Sequence, residues 1–226
     1  MRKLKLQELQ RPALETFRQM PKVPVRLVLD NIRSGLNVGS AFRTADAFAL
    51  EGICLCGITA QPPHREILKT AIGATESVAW SYHPSVVELV RQLKQEGYRV
   101  LAVEQTDQSI SLADLRIEPS EKYALIFGNE VEGVNEEVLS LVDGAVEIPQ
   151  FGTKHSLNVA VCIGVVTWEL VRGAASLGQG SEGAKDSWQV RLAGSEGAKD
   201  SWQVRLAGSE GADGIQNPES RIKNPE

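Results

Sequence analysis

The feature that most constrains this chain is an alternation, sustained from residue 25 to residue 172, between short apolar runs and longer stretches with helical spacing. Residues 25–29, 52–56, 77–82, 98–103, 122–127 and 145–148 read as strands, and residues 38–49, 66–71, 85–96, 135–142 and 158–172 as helices. Strands joined through helices run parallel, and a parallel sheet needs helices on both faces to bury it. The expected fold class is therefore α/β, a mostly parallel sheet covered on both sides. In such sheets ligands gather at the carboxyl ends of the strands. That rule puts the loops after Leu29, Val103, Phe127 and Ile148 on one rim. Each loop carries polar chemistry: Asn37 with Arg43; Glu104, Gln105 and Thr106; Gly128 to Glu130 with Glu132; and Lys154, His155, Ser156 and Asn158. Asn37 reads as the N-cap of the helix at residues 38–49 and Ser156 as that of the last.

Composition narrows the function classes. With 226 residues, 42% of them hydrophobic, the chain can bury one substantial core with an appendage. No apolar run is long enough to span a membrane, and the start lacks the apolar centre of a secretory signal, so the expected compartment is the cytoplasm. Cys54, Cys56 and Cys162 are too few for a disulfide framework and read as buried reduced thiols. His64, His83 and His155 are too scattered for a metal site, so none is expected, and His64 and His83 read as surface turn residues. No G-x-G-x-x-G of a dinucleotide site follows the first strand, and the G-x-x-x-x-G-K-[ST] of nucleoside-triphosphate sites and the G-x-S-x-G elbow of hydrolases are missing.

Charge is uneven. The net value of −5 argues against a simple nucleic-acid binder, yet residues 1–26 carry Arg2, Lys3, Lys5, Arg11, Arg18, Lys22 and Arg26 against Glu8 and Glu15. This basic arm, residues 1–23, is either a solvated helix face or a phosphate-contacting element. At the other end, residues 181–194 recur letter for letter at 195–208. Two copies of fourteen cannot build a solenoid, so residues 176–226 read as a flexible low-complexity tail.

Three segments together resemble a known family. Asn37-Val-Gly-Ser-Ala-Phe-Arg43-Thr-Ala-Asp46, Leu125-Ile-Phe-Gly-Asn-Glu130-Val-Glu-Gly133 and Ile148-Pro through Ser156-Leu-Asn158-Val-Ala are similar, in order and spacing, to motifs 1, 2 and 3 of the TrmH-like branch of the SPOUT RNA methyltransferases. The resemblance covers about residues 24–173, and a domain of residues 24–175 is expected from it. It implies a deep trefoil knot at the C-terminal side of the sheet, S-adenosylmethionine bound in the knot, and a homodimer. It also implies methylation of a ribose 2′-hydroxyl in structured RNA, tRNA before rRNA. Arg43 would then hold the substrate phosphate and the developing alkoxide, because a guanidinium is a poor base but a good phosphate fork. Asn37 would orient Arg43 or the substrate, and Glu130 would fix the arginine or the loop. Ser156 and Asn158 would stand near cofactor and arginine, with Gly128, Ile148 and Leu157 also lining the cofactor pocket. The competing expectation is a non-catalytic RNA-binding module with the same fold.

Overall fold

The computed structural model describes residues 1–9, 11–118 and 120–177, so the repeated segment expected as a tail lies outside the described residues. Among these, seven strands form one sheet: β1 (Val23–Asp30), β2 (Leu50–Cys56), β3 (Trp80–His83), β4 (Tyr98–Val103), β5 (Ile110–Ser111), β6 (Lys122–Phe127) and β7 (Gly144–Glu147). Their order is β3-β2-β1-β6-β4-β7-β5, and every pairing is parallel. The helices are α1 (Leu14–Gln19), α2 (Gly35–Ala47), α3 (Arg65–Ala71), α4 (Ala74–Ser77), α5 (Val86–Gln95), α6 (Glu136–Leu139) and α7 (Val159–Leu177).

The period of two in a strand explains why the apolar runs are unbroken. Val25, Leu27 and Leu29 of β1 point to one face, where they join Phe42 of α2, Ile67 of α3 and Ile163 and Leu170 of α7. Val28 points to the other and joins Cys54, Cys56, Ala124 and Ile126 with Val90 and Leu93 of α5 and Val138 of α6. Both faces are buried, so both sets of positions must be apolar. Cys54 and Cys56 are buried as expected, whereas Cys162 is half-buried.

Strand order fixes where a ligand can bind. The chain lays β2 and β3 on one side of β1 and the remaining strands on the other, so the order reverses between β1 and β6, the switch point where α/β sheets open a crevice. Leu29 pairs with Phe127, which brings Asp30 and Gly128 out side by side on the rim. β4 and β7 follow directly, so the four loops that the sequence marks as polar do share one rim, at adjacent strand ends.

Several boundaries differ from expectation. Ser34, not Asn37, caps α2: its hydroxyl accepts from the Asn37 N–H at 3.4 Å, and Asn37 lies within the first turn. Asn158, not Ser156, caps α7 by accepting from the N–H groups of Ala160 and Val161 at 2.9 and 3.4 Å. Ser77 ends α4 instead of opening a strand, because Gly73, at φ +86°, starts a helical turn and the Ser77 hydroxyl bonds the Asp46 carboxylate. His83 is not a turn residue; it ends β3, half-buried, with its ring 2.8 Å from the Ser81 hydroxyl.

The basic arm is partly neutralised by its own surroundings. Arg18 donates to the Glu76 carbonyl at 2.9 and 2.7 Å, Arg2 pairs with Glu8 at 2.5 Å, and Arg26 pairs with Glu51 at 2.7 Å. The Lys22 ammonium lies 3.2 Å from the centre of the Phe17 ring. The arm also enters β1 at its amino end, opposite the rim.

Candidate active site

Two carboxylates organise the rim. Glu130, in the loop after β6, accepts from the N–H groups of Arg33 and Ser34 at 2.9 and 3.1 Å and from the side-chain amide of Asn37 at 3.0 Å. The Asn37 side-chain oxygen accepts in turn from the Asn158 amide at 3.2 Å. A single hydrogen-bonded chain thus joins three loops that are 93 and 121 residues apart at its two side-chain links. Glu104, after β4, accepts from Gln105 N–H at 2.9 Å and Val134 N–H at 3.0 Å, and the Gln105 amide donates to the His155 carbonyl at 2.9 Å. Sequence reading placed Glu104 and Gln105 on the rim but gave them no role; Glu104 ties the second loop to the third, and Gln105 ties it to the fourth.

Backbone packing shapes the loop that carries Glu130. Asn129 and Gly133 exchange both backbone hydrogen bonds at 2.9 Å, folding the loop tightly back on itself. At Gly128 a side chain would overlap the Gly133 carbonyl and the Val134 nitrogen, so only glycine fits. The expected pocket role of Gly128 has a structural companion: it lets the turn close.

Burial opposes the charge on Glu130, but the Arg33 N–H, the Asn37 amide and the Ser34 N–H outweigh it and hold the carboxyl below its ordinary range. A lowered carboxyl contributes stability above its unfolded pKa and loses it as pH falls through the folded value, so the clasp opens only in acid. Replacing Glu130 with alanine leaves two loop N–H groups and the Asn37 amide without their acceptor. The expected result is a fall in turnover on the order of a hundredfold, as for a catalytic group displaced by about 1 Å, with a thermal midpoint lowered by only a few degrees. Unchanged turnover would remove Glu130 from the site.

Asp30 shows the opposite shift. It is 2% exposed at the end of β1, and burial pushes its carboxyl up to about 6. Since the folded value exceeds the unfolded one, the folded state gains from protonation, and that stability is lost as pH rises through about 6. Asp30→Asn is therefore expected to stabilise the protein at pH 7.5, by up to about 3 kcal/mol, and to have much less effect near pH 4. Urea midpoints at the two pH values check this; equal shifts at both would refute it.

The remaining predicted residues separate into two groups. Asn37, Glu130 and Asn158 meet in the network, and Ile148 packs half-buried against the core. Arg43 does not join it. It stands six positions beyond Asn37 in α2, about 9 Å farther along the axis and about 120° around it, exposed and without a hydrogen-bond or ion-pair partner among the described residues. Neither Asn37 nor Glu130 orients it: Glu130 fixes the loop instead. Ser156 is exposed, with no hydrogen bond to the other described residues, and Leu157 is exposed beside it. Across residues 150–157 no backbone N–H donates to another described residue, and Phe151 is 98% exposed. This loop has donors and apolar surface to offer a ligand. Among the described residues, no group of His, Cys, Asp and Glu is arranged to hold a metal ion.

Comparison with known proteins adds the following. Residues 24–168 match the model of the SpoU rRNA Methylase family. A tRNA (guanosine(18)-2′-O)-methyltransferase of Thermus thermophilus is 30% identical over 166 residues, which is 73% of this chain and 83% of that protein. A 23S rRNA (guanosine-2′-O-)-methyltransferase of Neisseria meningitidis is 28% identical over 70% of this chain, but this chain spans only 62% of its length. Among solved structures, an AdoMet-bound rRNA methyltransferase from Sinorhizobium meliloti is 27% identical with a TM-score of 0.61, over 72% of this chain and 60% of that one. A TrmH/SpoU tRNA modifying enzyme of A. aeolicus shares the fold, with a TM-score of 0.65 at 21% identity over 73% of this chain and 84% of that one.

Proposed function

This chain belongs to the SpoU rRNA Methylase family, and from that premise we propose that it transfers the methyl group of S-adenosylmethionine to a ribose 2′-hydroxyl of structured RNA. The observation that carries the reading is the hydrogen-bonded chain from Glu130 through Asn37 to Asn158, which gathers all three motif segments at the carboxyl ends of adjacent strands.

The residues present fit the cofactor. The unpaired N–H groups of residues 150–157 suit the polar edge of an adenine, and exposed Leu157 with half-buried Ile148 suits its apolar faces. When bound, the cofactor supplies an electrophilic methyl group on sulfur. The protein must hold the ribose oxygen in line with that methyl and steady the charge that develops as its proton leaves. Arg43, exposed and unpaired, is available to a substrate phosphate and to that oxygen. Asn158 and Ser156 border the same loop and align the hydroxyl, while Glu130 and Asn37 fix the frame on which they act.

Two architectural features accompany this reading. α7 leaves β7 and returns to pack on α2, beyond β4 and β6, so residues 148–158 cross the rim; this path suits the expected knot. Val161, Val165 and Trp168 recur along one exposed stripe of α7, at i, i+4 and i+7, and a second copy of the chain is the proposed cover.

The relatives include enzymes named for tRNA and for rRNA. We favour tRNA because the relative that is 30% identical over 73% of this chain is named for tRNA, while the rRNA relative is 28% identical over 70%. Incubation with methyl-labelled cofactor and separate tRNA and rRNA fractions tests the choice. Label in tRNA is expected; label confined to rRNA would overturn the preference, and label in neither would overturn the transferase reading.

A further inference from the structure

The segment between β7 and α7 is exposed from Pro149 to Asn158 and is tied down at few points. Among the described residues, those at 150–157 make a single hydrogen bond, in which the Gln105 side-chain amide donates to the His155 carbonyl at 2.9 Å. The next tie is at Asn158, whose amide donates to the Asn37 side-chain oxygen at 3.2 Å. The shape of the segment between Pro149 and Asn158 therefore depends on one side chain from another loop.

That side chain stands on a firm base. The Glu104 N–H donates to the Val146 carbonyl of β7 at 3.1 Å, and the Glu104 carboxylate accepts from the N–H groups of Val134 at 3.0 Å and Gln105 at 2.9 Å. The same carboxylate packs against Gly133, where φ is +71° and a side chain would collide with it. Gln105 is thus fixed to β7 and to the loop that carries Glu130, while its amide reaches across to His155. A backbone carbonyl only accepts, so the amide nitrogen must be the atom that faces it.

We propose that Gln105 is a positioning residue for the cofactor, a latch that holds residues 150–157 in the shape that offers their N–H groups to S-adenosylmethionine. This rests on the reading of that loop as the cofactor's. Without the latch the loop visits other shapes, and apparent affinity falls in proportion to the time it spends in the competent one. Bound cofactor orders the loop through its own contacts, so turnover at saturation is spared. The two cross-links divide the work: Gln105 acts on cofactor binding, and the Glu130–Asn37–Asn158 chain acts on transfer.

Two variants test the latch. Gln105→Leu removes the donor, and Gln105→Glu turns an acceptor toward the His155 carbonyl. In calorimetric titrations with S-adenosylhomocysteine, the Kd of Gln105→Leu is expected to rise roughly threefold to tenfold, the effect of one lost hydrogen bond, and that of Gln105→Glu to rise further. The KM for S-adenosylmethionine should rise in parallel, with kcat within about twofold of wild type and the thermal midpoint unchanged. Trypsin should cut ligand-free Gln105→Leu after Lys154 faster than wild type by a similar factor, and saturating S-adenosylhomocysteine should remove the difference. Unchanged affinity in both variants, or a lowered kcat with KM unchanged, would overturn the proposal. Weakened affinity with unchanged cleavage would make Gln105 a direct cofactor contact and overturn the latch. A wild-type protein that binds no S-adenosylhomocysteine would overturn the cofactor reading and the latch together, an outcome distinct from wild-type binding that the variants leave unaltered.

Discussion

Replacing Arg43 with alanine is expected to lower methyl transfer by roughly 10²–10³-fold, the range seen when one donor to a developing oxyanion is removed. The fold should not register the change. Arg43 is exposed on α2 and has no partner among the described residues, so its loss should alter stability by no more than about 0.5 kcal/mol. S-adenosylhomocysteine affinity should also stay the same, because the cofactor's proposed loop lies elsewhere. Arg43→Lys should rescue little, since one ammonium cannot span phosphate and ribose oxygen as a planar fork does. Saturating-substrate rates and thermal midpoints for the two variants check this. Full activity in Arg43→Ala would remove the arginine from the mechanism; a large fall in stability would show that its role is structural.

The largest stability effect is expected at Gly128. An added methyl group would overlap the Gly133 carbonyl and the Val134 nitrogen, both backbone atoms that cannot turn aside. Relieving the overlap breaks the Asn129–Gly133 pair and displaces Glu130, and with it the N–H groups of Arg33 and Ser34. Gly128→Ala should cost about 2–4 kcal/mol by urea unfolding and abolish transfer. Gly152→Ala is the control. A methyl there meets nothing within 4 Å, and the expected change is within about 0.5 kcal/mol. Similar midpoints for the two variants would mean that the Gly128 turn can relax.

How far the sequence revealed this site depended on whether the deciding partner was local. The strands of the core were legible because burial on both faces leaves unbroken apolar runs, and the rim followed from the rule for parallel sheets. The roles of Asn37 and Ser156 were not. Asn37 has the composition of a cap, but its amide is taken by Glu130, 93 residues away, and Ser34 caps in its place. Ser156 lost the cap to Asn158 because the helix starts at Val159, which leaves Asn158 as the residue just before its first turn. Asp30 was invisible for a related reason. A lone carboxylate at the end of an apolar run looks like the start of a loop, and only pairing with β2 and β6 buries it. β5 has two residues, too few to show any periodicity.

The measurement that tests the central claim most directly is mass spectrometry of nucleosides from RNA treated with the purified protein and methyl-deuterated S-adenosylmethionine. The account predicts a labelled methyl group on the ribose fragment, lost in Arg43→Ala. Label on the base fragment, or none in RNA that the protein binds, would contradict it.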